Sequence, residues 1–370
     1  MRFIAVFCMV ALLGSCTDRS YTPITPQALD IGTPFTVFTA TNRAKQADGS
    51  YGYERTTSLQ LLELTVSIPP DRMAGELDFA YAKPEPETQF TLAGQTEFTS
   101  SDAFLNRVRE TLKQDPTTSD EIVLFVHGYN TTQAETAFRA AQFAYDVNLP
   151  GALMIYSWPS QGKLLGYAYD SESMLFARDG LEKVLRRIRG SGIKKLNLIG
   201  HSMGSALIME TLRQIEIEDP GWSKRSINGV VLISPDLDVD LFHIQMDRFA
   251  EVPDPFIIMT SGKDPVLGLS ALLRGDRDRK RLGNINSIDQ IADLPVQVVD
   301  TTAYSKSASS PHFVAGTSPA LLAIFGEAQR LVDTFGDEKI IRDKLLPGDV
   351  VRTQKATAIR LTTPVPAAPG

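Results

Sequence analysis

The sequence predicts an α/β fold, a mostly parallel sheet with helices on both faces and antiparallel strands at its N-terminal edge. Three observations predict it. Short, nearly continuous apolar runs recur at residues 122–126, 152–157, 196–199, 230–233, 256–260 and 296–299, as in strands buried on both faces. Helix-period segments fit between the early runs, at 134–145, 171–188 and 205–215, and strands alternating with helices specify parallel pairing through right-handed crossovers. Ahead of them, residues 34–40 and 61–68 carry near-alternating apolar side chains bounded by Asn, Gly and Pro, the pattern of half-buried antiparallel strands. One more helix is expected around 101–113, within an otherwise loop-like stretch from 84 to 119.

Composition narrows the class. At 370 residues, 43% hydrophobic and 22% charged, the chain lies near the globular average, which argues against wholesale disorder and against a polytopic membrane protein. A net charge of −7 repels phosphate backbones, so no nucleic-acid partner is expected. The densest basic run, residues 274–281, is interrupted by Asp276 and Asp278 and reads as a solvated surface.

The N-terminus carries a targeting pattern. Arg2 precedes an apolar run ending at Leu13, the length of a signal-peptide core and too short to span a bilayer comfortably. It closes as Leu13-Gly14-Ser15-Cys16, which resembles the bacterial lipobox. That resemblance implies removal of residues 1–15 and lipidation of Cys16 as the new N-terminus. With Thr17 following, it also implies a lipid anchor at the periplasmic face of the outer membrane. The alternatives are an ordinary signal peptide or an uncleaved anchor, with Cys16 incidental. Only Cys8 and Cys16 occur in the chain, so a protein starting at Cys16 forms no internal disulfide. Residues 16–33, rich in Pro, Thr and Ser, read as a tether, 34–345 as the folded domain, and 346–370 as a disordered tail ending in Pro and Ala.

The chemistry sits after the strand at 196–199, where Gly200-His201-Ser202-Met203-Gly204 leads into a helical pattern. This is G-x-S-x-G between strand and helix, the nucleophile turn of the α/β-hydrolase fold. Serine is a weak nucleophile near neutral pH, so a base must take its proton and a third group must orient that base. The chain order in this fold is Ser, acid, His. Of the four histidines, His127 precedes the serine, His201 lies inside the turn, and His243 follows an earlier strand; His312, after the last strand run, is the candidate base. Asp264, after the strand at 256–260, is the candidate acid, with Asp236, Asp238 and Asp240 one strand earlier as competitors. Oxyanion donors are expected from the backbone N–H groups of Tyr129, in the turn after the first core strand, and of Met203, next to the nucleophile. No cysteine cluster or His-Glu-x-x-His spacing suggests a metal, and no cofactor is expected.

Further segments strengthen the pattern: Ala40-Thr41-Asn42-Arg43, Val126-His127-Gly128-Tyr129-Asn130, Tyr156-Ser157-Trp158-Pro159-Ser160, Ser234-Pro235-Asp236 and Ser261-Gly262-Lys263-Asp264. With the serine turn, they make the chain resemble a bacterial α/β-hydrolase family of unknown function, described as esterase- or lipase-like, over roughly residues 35–335. The resemblance implies that Ser202, Asp264 and His312 carry catalysis and that Trp158, Pro159 and Ser160 sit near the pocket; Trp158 reads equally as a core aromatic. Tyr129 stands where the family often has Phe, and Ser205 where Asn is common, departures that bear on pocket detail. The expectation is an esterase acting on a small-molecule or lipid ester. Two alternatives are an acyltransferase with the same triad and a catalytically silent envelope scaffold.

Overall fold

The computed structural model describes Arg19 and residues 21–114, 120–273, 281–285, 287–335 and 348–362. Strands β1 (Thr33–Lys45), β2 (Tyr51–Ile68) and β3 (Thr91–Phe98) precede the first helix, α1 (Ser101–Gln114). Strand β4 (Glu121–Val126), helix α2 (Gln133–Asp146), strand β5 (Ala152–Ser157), helix α3 (Tyr167–Gly190), strand β6 (Lys195–His201) and helix α4 (Met203–Glu218) follow. Strands β7 (Gly229–Ile233), β8 (Phe256–Thr260) and β9 (Gln297–Asp300) continue the pattern. They join one sheet ordered β10-β11-β9-β8-β7-β6-β4-β5-β1-β2-β3, in which β10 is Gly348–Arg352 and β11 is Thr357–Leu361.

Parallel pairing runs unbroken from β1 through β5, β4, β6, β7, β8 and β9 to β11, and β1–β2–β3 closes one edge antiparallel. The apolar runs are near-continuous because each strand buries both faces. In β4, Ile122, Leu124 and Val126 join the cluster beneath α1, α3 and α4, whereas Val123 and Phe125 turn to the cluster beneath α2. A period of two sorts one strand into two cores. Every parallel strand ends on the same side, which gathers residues after β4, β5, β6, β7, β8 and β9 at one edge, where ligands of open α/β sheets bind.

Four expectations are corrected. Residues 91–98 form β3 rather than the expected loop: Gly94 and the polar residues of TLAGQTEF leave no continuous apolar run in an edge strand that is buried only over its first three residues. The tether is not free along its length. Thr25 N–H donates to Leu92 O at 2.8 Å, Ala28 is buried in a one-turn helix at Pro26–Asp30, and Ser67 Oγ donates to Ala28 O at 2.8 Å. The tail is structured from 348 to 361, because Ile359 and Leu361 complete an apolar cluster with Val299, Tyr304, Val314 and Leu321, and β11 pairs with β9. Pro and Ala enrichment begins only beyond it, at 363–370, outside the described residues, as are residues 1–18, including Cys16, and most of the basic run at 274–281. Arg281, the last of that run, is buried rather than solvated.

A chain ending at residue 347 should lose several kcal/mol of stability, at about 1.5–3 kcal/mol for each buried aliphatic side chain removed. Chemical denaturation checks this; an unchanged midpoint would contradict the role given to β11.

Candidate active site

Ser202 occupies the step from β6 into α4 at φ 53°, ψ −120°, a left-handed geometry that costs a non-glycine residue on the order of 1–3 kcal/mol. Its surroundings hold it there. Ser202 N–H donates to Ile233 O at 3.0 Å, and its own carbonyl accepts from Ser205 N–H at 3.0 Å and Asp236 N–H at 3.2 Å. The flanking Gly204 permits close approach, since a Cβ there would lie 2.2 Å from Val126 O and 2.4 Å from His127 O. Helix α4 therefore starts against the end of β4. In the turn after β4, a Cβ on Gly128 would lie 2.9 Å from that of Ser202, which brings the segment carrying Tyr129 beside the serine.

Asp264 and His312 meet directly. One carboxylate oxygen of Asp264 accepts from Val266 N–H and Leu267 N–H at 3.0 and 3.3 Å, capping the helix that follows β8; the other lies 2.7 Å from His312 Nδ1. The acid is thus oriented by backbone on one side and orients the imidazole on the other, with His312 retaining 14% side-chain exposure and Asp264 none. His201, next to the serine, supports the same loop: its Nε2 lies 3.2 Å from His312 O, and its ring packs on His312 and Phe313 at centroid distances of 4.8 and 4.6 Å. Burial, then the neighbouring His312, pushes the His201 pKa well below the usual imidazole value, so a neutral ring donates to the carbonyl. Among the contacts of the described residues, none is a Ser202 Oγ–His312 Nε2 hydrogen bond; in unliganded hydrolases that bond is often long and tightens on substrate binding.

The competing carboxylates are engaged elsewhere. Asp236 accepts from Tyr167 Oη and Ser270 Oγ, each at 2.7 Å, and lies 3.0 Å from Arg281 Nε. Asp238 caps the helix Val239–Met246 through Asp240 N–H and Leu241 N–H, and Asp240 is an exposed residue of that helix. His243, on the same helix as Asp240, places Nε2 2.8 Å from Gln290 O in the short turn Ile288–Ile291. His127 is buried and stacks on Trp158 at 4.9 Å and 5°, while Trp158 Nε1 donates to His127 O at 2.8 Å and His127 Nε2 lies 3.1 Å from Trp158 O. Trp158 is thus a core aromatic that ties the ends of β4 and β5 together. Burial, then Arg43, depresses the His127 pKa to about 3.

Two positioning residues lie beneath the Tyr129 turn. Arg43, fully buried, donates to Thr131 O at 2.7 Å, to Ser160 O and Gly52 O at 3.0 Å, and to Ser157 Oγ at 2.9 Å. Asp170 accepts from Asn130 N–H at 3.1 Å and from Ser160 Oγ and Gln161 N–H, each at 2.6 Å. Burial lowers Arg43 to about 10 and raises Asp170, and each charge opposes the other's shift. Asn130, held at φ 58°, is fixed between them. The Ala40–Arg43 and Tyr156–Ser160 segments owe their place in the pattern to this network. Asp170, in the first turn of α3, carries no local sequence signal.

Comparison with known proteins comes to one family and a set of distant structures. The sequence model of a family described as "alpha/beta hydrolase of unknown function (DUF900)" matches residues 100–330. No curated protein matches the chain. Among solved structures, a predicted CIB-like hydrolase from Thermoplasma acidophilum is 16% identical, aligned over 58% of this chain and 88% of its own, with a TM-score of 0.33. An alpha-beta serine hydrolase homologue from Coxiella burnetii is 12% identical over 72% and 91%, with a TM-score of 0.34. An esterase from Pyrococcus furiosus is 11% identical over 77% and 88%, with a TM-score of 0.31. Likeness at these scores carries nothing about substrate.

Because His127 and His201 resist protonation when folded but titrate near 6.5 when unfolded, the unfolded chain binds more protons below about pH 6.5, for His127 down to about pH 3. Stability should therefore fall as pH falls below about 6.5, with His127 contributing roughly 1 kcal/mol per pH unit. Imidazole NMR should find neither ring titrating down to pH 5.5; a midpoint near 6.5 for either would contradict the assignment.

Proposed function

This chain belongs to a family of alpha/beta hydrolases of unknown function, and on that premise we propose that it is a serine hydrolase cleaving carboxylic esters through an acyl-enzyme on Ser202. The observation that carries the proposal is the 2.7 Å bond between Asp264 and His312 Nδ1, on a loop braced by the neighbour of a left-handed serine. Asp264 fixes the tautomer that leaves Nε2 free to accept the Ser202 proton, and its charge stabilises the imidazolium that forms. Ser202 Oγ then adds to the ester carbonyl. The oxyanion draws on the N–H of Met203, at the positive end of α4, and on the N–H of Tyr129. Collapse of the tetrahedral species expels the alcohol, which takes its proton from His312. Water, deprotonated by the same imidazole, releases the acid and restores the serine.

The location proposed for this activity is the membrane surface, through a lipidated Cys16. Arg19, three residues on, is bonded to Asn130 Oδ1 at 2.9 Å and Gly162 O at 2.7 Å. Three residues reach at most about 11 Å, so an anchor at Cys16 holds this rim of the site close to the bilayer. Leu164 and Leu165, 65% and 96% exposed on the same rim, give it an apolar edge.

A fluorophosphonate should label the purified protein, with labelling abolished in Ser202→Ala and His312→Ala, and Asp264→Asn should lower kcat by about 10⁴. An unlabelled parent protein rules the hydrolase reading out. Cys16→Ser should shift the protein from the membrane to the soluble fraction; retention at the membrane would leave no role for the anchor.

A further inference from the structure

A cavity of about 230 Å³ lies beside the serine turn, with His201 and Gly128, close neighbours of Ser202, among its lining residues. Leu77, Phe125 and Phe313 give it apolar sides, and Arg19, Glu135 and Arg139 bring charge to it. The charges do not cancel. Arg19 is spent on Glu135, whose two carboxylate oxygens it meets at 2.7 and 2.9 Å. Arg139 donates instead to the neutral Gln142 Oε1 at 2.7 Å and lies over the Phe313 ring at 5.5 Å. Asp146 reaches it only through Gln142 and is already taken by Arg72, at 2.5 and 2.6 Å, and by Gly75 N–H at 2.7 Å. Burial pushes the Arg139 guanidinium down to about 10 against the weaker pull of Asp146, the mark of a cation short of compensation. His127 and His201 are neutral and add no charge.

We infer that this cavity is a binding site for a carboxylate on a short apolar chain, held through the guanidinium of Arg139 with the chain against Leu77, Phe125 and Phe313. The planar fork of arginine matches a carboxylate with two parallel hydrogen bonds. The volume falls below the roughly 300–1,000 Å³ of drug-sized sites, which limits the ligand to a few carbons. Such acids are the class of molecule that ester cleavage releases, a link that rests on the function proposed above; the binding site itself does not.

Titration calorimetry on the full chain tests it, with hexanoate, hexanamide and inorganic phosphate as probes. Hexanoate should bind at least about tenfold more tightly than hexanamide, a margin of about 1.4 kcal/mol, and more tightly than phosphate, which leaves the apolar walls unused. Ser202→Ala should keep this preference, Arg139→Lys should keep part of it, and Arg139→Gln should abolish it. Should Arg139→Gln not fold, the wild-type protein supplies the second reading: hexanoate should protect Arg139 from phenylglyoxal in peptide mapping, and hexanamide should not. Equal affinity for acid and amide, a preference that survives Arg139→Gln, or an unprotected Arg139 overturns the site. Phosphate binding as tight as hexanoate overturns the acyl-chain part. Failure of fluorophosphonate labelling with hexanoate binding intact would instead sink the hydrolase reading and leave this site standing.

Discussion

The architecture of the site depends on one constraint, the close approach of helix α4 to the end of β4. Where a Cβ on Gly204 would stand 2.2 Å from Val126 O, the helix can begin only if that position is glycine, and Ser202 is driven into a left-handed turn. The strain is offset by hydrogen bonds on both sides of the serine backbone, from Ser205 and Asp236 and to Ile233. The same approach presses the Gly128 turn against the serine. The proposed nucleophile and oxyanion donors thus owe their placement to one packing event rather than to separate loops.

A second layer keeps that geometry rigid. Arg43 in β1 and Asp170 in α3 reach the turn at 129–131 from opposite sides, so the antiparallel edge and the helical layer are both tied to the oxyanion side. Trp158 and His127 lock the ends of β5 and β4 through stacking and a hydrogen bond. They reduce the freedom of the turn at 129–131, which is the form of preorganisation that the proposed oxyanion donor would require. On the acid side the logic is similar: Asp264 spends one oxygen on a helix start and the other on His312, so the imidazole inherits its orientation from secondary structure.

What the sequence made legible follows from where information is local. Strands buried on both faces announce themselves as apolar runs, so β4 to β9 were readable to within a residue or two. The G-x-S-x-G turn was readable because glycines answer a local steric demand. Asp264 could be ranked above Asp236 by strand order, yet only coordinates reveal why: Asp236 is held by Tyr167, Ser270 and Arg281, partners 69, 34 and 45 positions away along the chain. Edge strands fared worst. In β3 only the first three residues are buried, and in β10 every residue is exposed, so neither carries the apolar signal of a central strand. Asp170 and the uncompensated charge of Arg139 were invisible for a related reason, since each acquires its meaning from partners on other elements.

The account turns on whether Ser202, His312 and the two backbone donors converge on one reacting centre. A crystal structure of the protein inactivated with a phosphonate ester tests that most directly. The account predicts phosphorus bonded to Ser202 Oγ, a phosphonyl oxygen about 2.7–3.1 Å from the N–H groups of Tyr129 and Met203, and His312 Nε2 within hydrogen-bond reach of Oγ. An adduct whose oxygen faces away from both donors, or a His312 that stays out of reach, would contradict it.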